Sequence, residues 1–395
     1  MPSSAEKSWS SWSGAVSCRP RALPTPASEA DVAAAVRAAA REGATVRVAG
    51  TGHSFVPLCA TDGVLISLER LRGVIGIDRA RGEALVWGGT PIHELGAPLR
   101  ASGVAMETMG DIDRQTIAGA ISTGTHGSGP TLGSISTQVV GLRLVTAEGA
   151  IVECAEDREP ALLRTARVAL GALGVITQVR LRVRPAYRLH ERTWSAPFDE
   201  CMAGLDALVA ANRHFEFFWR PKTDACDMKA LNPTDAAPDP LADRPGERID
   251  HSDRVLPSER LVKFNETEFA IPAERGPECV REIRALMRTR YPDVVWPVEY
   301  RTLAADDIPL SPAFGRATVT ISVHEAAERP YAAFFADAEA IFRSHRGRPH
   351  WGKIHTHDHR ALRALYPAWD DFQATRRRLD PKGRFTNAHL AAVLG

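Results

Sequence analysis

Two rhythms of apolar and polar positions divide the chain. Up to about residue 185, short runs of Val, Ile, Leu and Ala alternate with glycine-rich turns. Ser28 is placed to cap a helix, with Asp31 three residues on. Val32, Ala35, Val36 and Ala39 then recur at helical spacing until Gly43. Short strands are predicted at Thr45–Ala49 and Val64–Leu68. Val74–Ile77 and Ala84–Trp87 flank Arg81-Gly82 as a hairpin, and Val139–Thr146 and Ala150–Cys154 flank Glu148-Gly149 as a second. Pro91 opens a helix that runs to about Gly103. Val175–Val183 alternates Val, Ile and Leu with Thr, Gln and Arg, the pattern of a half-buried strand, and Pro185 ends it.

Beyond Pro185 the pattern changes. Phe264–Ile271 and Arg316–His324 read as strands, the latter by alternation. Glu278–Arg290 and Tyr331–Ser344 read as helices. Residues 232–250 are dense in Pro, Asp and Ala, and read as an exposed insertion. No internal repeat is visible.

Composition narrows the function classes. The 395 residues carry 49 Lys+Arg against 48 Asp+Glu, a net charge of +1. That balance speaks against a dedicated nucleic-acid binder, whose footprint is a concentrated basic surface. The first residues are polar and lack the apolar core of a signal peptide. No stretch of 18 apolar residues is free of charge, so no membrane span is expected. Cys18, Cys59, Cys154, Cys201, Cys226 and Cys279 form no CxxC pair. A cytoplasmic location is the expectation.

Three glycine-rich segments carry the chemistry. Val46-Arg-Val-Ala-Gly-Thr-Gly-His-Ser-Phe55 is a strand running into a turn at Gly50, Thr51, Gly52, His53 and Ser54. Glycines there let backbone N–H groups approach and cradle an anion. A dinucleotide GxGxxG would need glycine at 55, which is Phe, so a nicotinamide fold loses its main support. The second segment is Met109-Gly-Asp-Ile-Asp-Arg-Gln-Thr-Ile-Ala-Gly-Ala120. The third is Ser122-Thr-Gly-Thr-His-Gly-Ser-Gly129. One such turn would be unremarked, but three in this order point to a cofactor.

Together with Gly171-Ala-Leu-Gly-Val-Ile-Thr-Gln-Val-Arg180, these segments resemble the FAD-binding domain of the vanillyl-alcohol oxidase superfamily. Within it they are most similar to the sugar-lactone and alditol oxidase branch. His350-Trp-Gly-Lys353 matches that branch's C-terminal motif. The resemblance implies an α+β architecture. It places a PCMH-type two-subdomain FAD-binding domain at 1–185 and a substrate (cap) domain with antiparallel sheet and flanking helices at 186–350. A segment at 351–395 returns to the first domain, where Phe385-Thr-Asn-Ala-His-Leu390 would cover the cofactor. FAD would be attached covalently through His53. No cysteine between Cys59 and Cys154 offers a second attachment. Contacts to FAD are implied for Gly50, Thr51, Gly52, Ser54, Gly110, Asp111, Thr116, Gly119, Thr123, Gly124, His126, Val175 and Ile176. A small residue at Gly110 implies oxygen access, hence an oxidase rather than a dehydrogenase.

The same resemblance implies the reaction: oxidation of a CH–OH group of an aldonolactone or polyol by hydride transfer to flavin N5, with oxygen reduced to hydrogen peroxide. Trp296-Pro-Val-Glu-Tyr-Arg301 matches the family's Glu-x-Arg pair, and residues i and i+2 of a strand share a face. Glu299 would bind hydroxyls or act as base. Arg301 and Lys353 would orient substrate and neutralise charge. Ser322 and His324 share a strand face, and His324 is a further ligand or base. Asp111 stands where alditol oxidases place a serine, which favours a lactone over an alditol. The alternatives are an oxidase or dehydrogenase for another alcohol, and a flavin-fold protein that binds without turnover. His350, His355, His357 and His359 approximate a zinc run but are one residue short of it, and no metal is expected. His355 is a candidate pocket residue.

Overall fold

The computed structural model describes residues 8–239, 246–258 and 262–395. Its first part follows the predicted rhythm closely. Ser28 Oγ accepts from Asp31 N (3.1 Å), and the helix Glu29–Arg41 runs from that cap. Its buried stripe of Val32, Ala33, Val36 and Ala39 packs beside a parallel pair of strands, Val46–Ala49 and Val64–Ser67. Beyond the pair lies a five-stranded antiparallel sheet. Its order is Val74–Asp78, Glu83–Trp87, Val175–Arg182, Val139–Val145 and Ile151–Ala155. Both expected hairpins are present in it. The helix opened by Pro91 spans His93–Ala101.

The second part is one eight-stranded antiparallel sheet. In order its strands are Glu247–His251, Arg188–Pro197, Ala225–Thr234, His214–Arg220, Val298–Leu303, Thr318–Ala326, Phe264–Pro272 and Arg348–Pro349. The helices Phe198–Ala211, Gly276–Arg290 and Ala332–Ser344 lend their apolar sides to a core with Phe217, Tyr300, Ile321 and Phe269. The chain is thus α+β, with helices on one face of an antiparallel sheet.

Both strands read from the sequence are present, and Thr318–Ala326 and Phe264–Pro272 are buried at every position. Helices take the apolar face and the first half of the molecule covers the polar one, so neither face meets bulk water. Residues 232–250 are not one exposed loop. The segment's start completes the strand Ala225–Thr234, and its end forms the strand Glu247–His251, paired with Arg188–Arg192. Residues 240–245 of that segment lie outside the described residues.

After Pro349 the chain turns back to the first half. Val46 N donates to Arg384 O (2.8 Å), and Phe385 is buried with Val32 and Val46. Arg47 fastens this junction. Its guanidinium donates to the carbonyls of Leu58 (2.8 Å), Leu170 (2.7 Å), Gly171 (3.2 Å) and Phe385 (2.5 Å). Burial brings its pKa down to about 10, so it stays charged and its N–H groups remain donors.

Candidate functional site: a glycine-walled groove and a charged cleft

Two cavities adjoin at His53, one along the first half of the chain and one between the two halves. The larger, with a volume of about 350 Å³, runs past Gly50, Gly52, Thr116, Gly119, Thr123 and Ile176. Thr51, His53 and Ser54 line it as well. Its walls are backbone at close quarters. A Cβ on Gly50 would come within 2.5 Å of Thr116 Oγ1, and one on Gly89 would overlap the Leu68 carbonyl. Gly52 takes a φ of +74°, a conformation that side chains disfavour. Gly88, Gly89, Leu170, Gly171 and Gly174 also line the groove. The sequence reading missed Gly88 and Gly89, because a lone Gly-Gly after a strand reads as an ordinary turn.

Five of the residues assigned to this groove are elsewhere. Val175 is fully buried in the core beneath the helix Glu29–Arg41. Gly124 is the left-handed cap of the helix Ile117–Thr123. Gly110 packs against the neighbouring turn: a Cβ there would lie 2.9 Å from Thr125 Cγ2 and 3.2 Å from His126 O. Glycine at 110 therefore serves close packing, and the space it frees is already filled. Asp111 and His126 line the second cavity instead. Phe385–Leu390 does not line the groove. Asn387 Nδ2 donates to the carbonyls of Pro57 (2.8 Å) and Ala60 (2.8 Å), so the segment props the loop that does.

The second cavity, about 70 Å³, opens beside His53 and is walled by charge. Glu299, Arg301, His324 and Lys353, all singled out in the sequence, converge there. Strand alternation and register explain it. Glu299 pairs across the sheet with Ser322, Arg301 with Thr320, Glu266 with His324 and Glu268 with Ser322. All point to the face the helices leave open. Glu266 and Glu268 were missed. Their signal was the i, i+2 carboxylate pair in Phe-Asn-Glu-Thr-Glu-Phe, which looks like the wet face of an amphipathic strand.

The charges are paired in order. Arg301 Nη2 lies 3.0 Å from Glu299 Oε2 and 3.6 Å from Glu268 Oε2. His126 Nε2 donates to Glu268 Oε1 (2.7 Å), while its Nδ1 faces the Gly127 carbonyl (2.8 Å). Lys353 Nζ pairs with Glu266. His324 Nδ1 donates to Pro297 O (2.9 Å), which turns Nε2 towards Glu266 Oε1 at 3.5 Å. Burial raises carboxylate pKa values, yet Glu266 is brought down to about 2 by Lys353 and His324. Glu268 is likewise held well below the usual range by His126 and Arg301. Glu299 behaves differently. Burial outweighs Arg301, and with Asp111 and Glu216 nearby it is pushed up to about 7. Ser322 Oγ donates to Glu299 Oε2 (3.3 Å), and Oε1 has no partner.

His53 stands where groove and cleft meet. Trp12 stacks on its ring, with centroids 5.5 Å apart. Burial, with Lys353 and Arg114 adding, lowers its pKa to about 4, so the imidazole is neutral. Its Nδ1 is buried without a partner. The four histidines of the C-terminal run do not converge. His350 Nδ1 accepts from Gly352 N (3.0 Å) in the cleft, while His357 Nδ1 lies 3.0 Å from Glu339 Oε1. His355 is absent from the cleft wall.

Fold and groove together define an FAD-binding oxidoreductase. The FAD binding domain family matches residues 20–155, and the D-arabinono-1,4-lactone oxidase family matches residues 179–252 and 242–393. The chain belongs to the D-arabinono-1,4-lactone oxidase family. It is 36% identical to an L-gulono-1,4-lactone dehydrogenase of Mycobacterium tuberculosis, over 98% of this chain and 99% of that one. The L-gulonolactone oxidase of Bos taurus is 30% identical over 97% of each. An alditol oxidase of Streptomyces sp. is 30% identical over 97% of this chain and 98% of its own. In structure the chain resembles a solvent-stable cholesterol oxidase, with a TM-score of 0.89 at 18% identity over 99% of this chain and 98% of that one. That likeness speaks to the fold alone. Among the described residues, no helix is long and apolar enough to cross a membrane.

Proposed function

We propose that the protein oxidises a CH–OH group of an aldono-1,4-lactone, with FAD held covalently by His53 and molecular oxygen as the final acceptor. The observation that carries this reading is Glu299. It is a buried carboxylate with a pKa near 7 and a free Oε1, and it faces the cleft beside His53. A base poised near the working pH is suited to take a hydroxyl proton.

The groove fits FAD on two grounds. Backbone at Gly50, Gly52, Gly119 and Gly171 lines it, as close approach to a pyrophosphate requires, and the neutral His53 beside it has an unpartnered Nδ1. FAD supplies the acceptor for the two electrons of the oxidised C–H bond. In this reading Gly50, Thr51, Gly52, Ser54, Thr116, Gly119, Thr123 and Ile176 hold the cofactor. Arg301 and Lys353 hold substrate oxygens, and His324 is a further substrate ligand beside them. Trp12, Phe55 and Phe264 keep water from the cleft. The chain divides into a cofactor unit at 1–185, a cap at 186–350 and a returning segment at 351–395. The six unpaired thiols suit a reducing cytoplasm.

The lactone reading draws on relatives matched along their whole length, and on Asp111 where alditol oxidases carry serine. Anaerobic mixing with aldonolactones, alditols and aromatic alcohols tests it. A lactone is expected to bleach the flavin, and bleaching by alditols alone would overturn the assignment. Admitting air then tests the acceptor through peroxide release. A dehydrogenase is the second reading, favoured by the mycobacterial relative and by the filled space at Gly110. Reduced flavin that persists in air would select it. His53→Ala should leave FAD extractable by acid. Acid-stable flavin in that variant would rule out His53 as the attachment point.

A further inference from the structure

The chain ahead of the glycine turns forms a small hairpin of its own. Trp9–Ser10 pairs with Ser17–Cys18, and Ser11 N donates to Val16 O (2.8 Å) across the loop between them. The hairpin is fastened to the first glycine turn, where Trp12 N donates to Gly52 O (2.8 Å). Gly52 has a φ of +74°, and a Cβ on it would lie 3.0 Å from the Trp9 ring and 3.2 Å from Ser11 Cα. Hairpin and turn therefore meet at backbone distance. The two tryptophans part from this contact: Trp9 lines the groove and Trp12 lines the cleft.

Trp12 is the ring that lies on His53. Their planes are 27° apart with centroids at 5.5 Å, a stacked pair. Phe264, which opens the strand Phe264–Pro272, meets Trp12 edge-on at 5.6 Å, and Phe55 packs on Phe264 in turn at 5.5 Å. The indole is thus supported from the cap as well as by its own hairpin. The imidazole is less well held, because its Nδ1 is buried without a hydrogen-bond partner. The outer torsion of a histidine is broad, so a ring that no hydrogen bond pins at Nδ1 takes its plane from what it stacks on.

We propose that Trp12 is a positioning residue for attachment of the cofactor: by stacking on His53 it fixes the imidazole plane from which the bond to FAD is made. This rests on the covalent attachment proposed above. Attachment forms a bond between an imidazole nitrogen and the 8-methyl carbon of FAD. The imidazole N–H and one methyl C–H bond break, and the two hydrogens with their electrons pass to molecular oxygen, giving hydrogen peroxide. A neutral imidazole has the lone pair this requires, and burial keeps His53 neutral. That lone pair lies in the plane of the ring. A ring free to turn therefore points it at the carbon less often than a ring held by stacking.

The test compares wild type, W12L and W12F as freshly purified holoenzymes. Total bound FAD is read from absorbance, and its acid-stable share from the flavin that stays with the precipitated protein. Leucine fills the site without a flat ring, and phenylalanine keeps the flat ring. Attachment is expected to be about tenfold slower in W12L, so that its FAD comes off mainly in acid, while the FAD of W12F stays mostly acid-stable. A merely structural role would lower the total and leave the share as in wild type, and that result would overturn the proposal. The wild-type share in a fully loaded W12L would overturn it too. So would FAD as extractable from W12F as from W12L, since the flat ring would then not matter. W12M replaces W12L if that variant gives no yellow protein. Wild-type FAD that acid removes completely would instead sink the covalent reading itself.

Discussion

The groove and the cleft share His53 as a boundary, yet they are built by opposite means. The groove is built from backbone, at turns where a methyl group would collide with a carbonyl or a hydroxyl. The cleft is built from ionisable side chains on facing strands. Backbone recognition is rigid and indifferent to pH. Recognition by charge can be retuned by one substitution, and it carries proton chemistry. If the groove holds the cofactor and the cleft the substrate, as proposed, the first can stay fixed while the second changes.

Substitutions on the two sides should separate these modes. The largest effect is expected from R301M, which leaves Glu299 and Glu268 without their shared cation. Lactone turnover should fall on the order of 10³-fold, while the flavin spectrum persists. Turnover within tenfold of wild type would reduce the cleft charges to a structural role. G89A attacks the groove. Its methyl would overlap Leu68 O, where no flexible side chain can yield. A cost of about 1–3 kcal/mol is expected, read as low FAD content in the purified protein and a lower melting temperature. Full FAD occupancy in G89A would show that the wall is looser than backbone contact implies.

The third comparison is thermodynamic. Glu299 has a folded pKa of about 7, above its unfolded value of about 4.3. Between these values the folded chain holds a proton that the unfolded chain has lost, so stability falls as pH rises through the window and levels off above it. E299Q removes that slope. Its stability relative to wild type should rise by on the order of 2–3 kcal/mol from pH 4 to pH 8, read from denaturant melts at each pH. Parallel curves for the two proteins would mean that Glu299 titrates alike in both states.

How much of this was legible follows from the same contrast. The groove turns lie in consecutive residues, so Gly50 to Ser54 and Thr116 to Thr123 could be read as units. The cleft is assembled from three strands and several loops, and its members are scattered along the chain. Glu299 and Arg301 were visible because they sit two residues apart beside a distinctive Trp-Pro. Glu266 and Glu268 have the same spacing but alternate with Asn, Thr and Phe, as an exposed strand would. Only the sheet's position between helices and cofactor half shows that both of its faces are buried. Gly110, Gly124 and Val175 show the converse limit. Each belongs to the right segment, yet neighbours one or two residues away line the cavity while these three support them.

The Arg47 junction bears on the order in which the molecule can be completed. Its guanidinium gathers carbonyls from residues 58, 170, 171 and 385, and so from both ends of the sequence. A nascent chain that has emerged only through its cofactor-binding motifs lacks the last of these acceptors and the Phe385 ring beside Val46. The groove floor is then unfinished until residue 385 has been added. A chain cut short before Phe385 should therefore be purified with a low FAD content, which the flavin absorbance of the truncated protein checks.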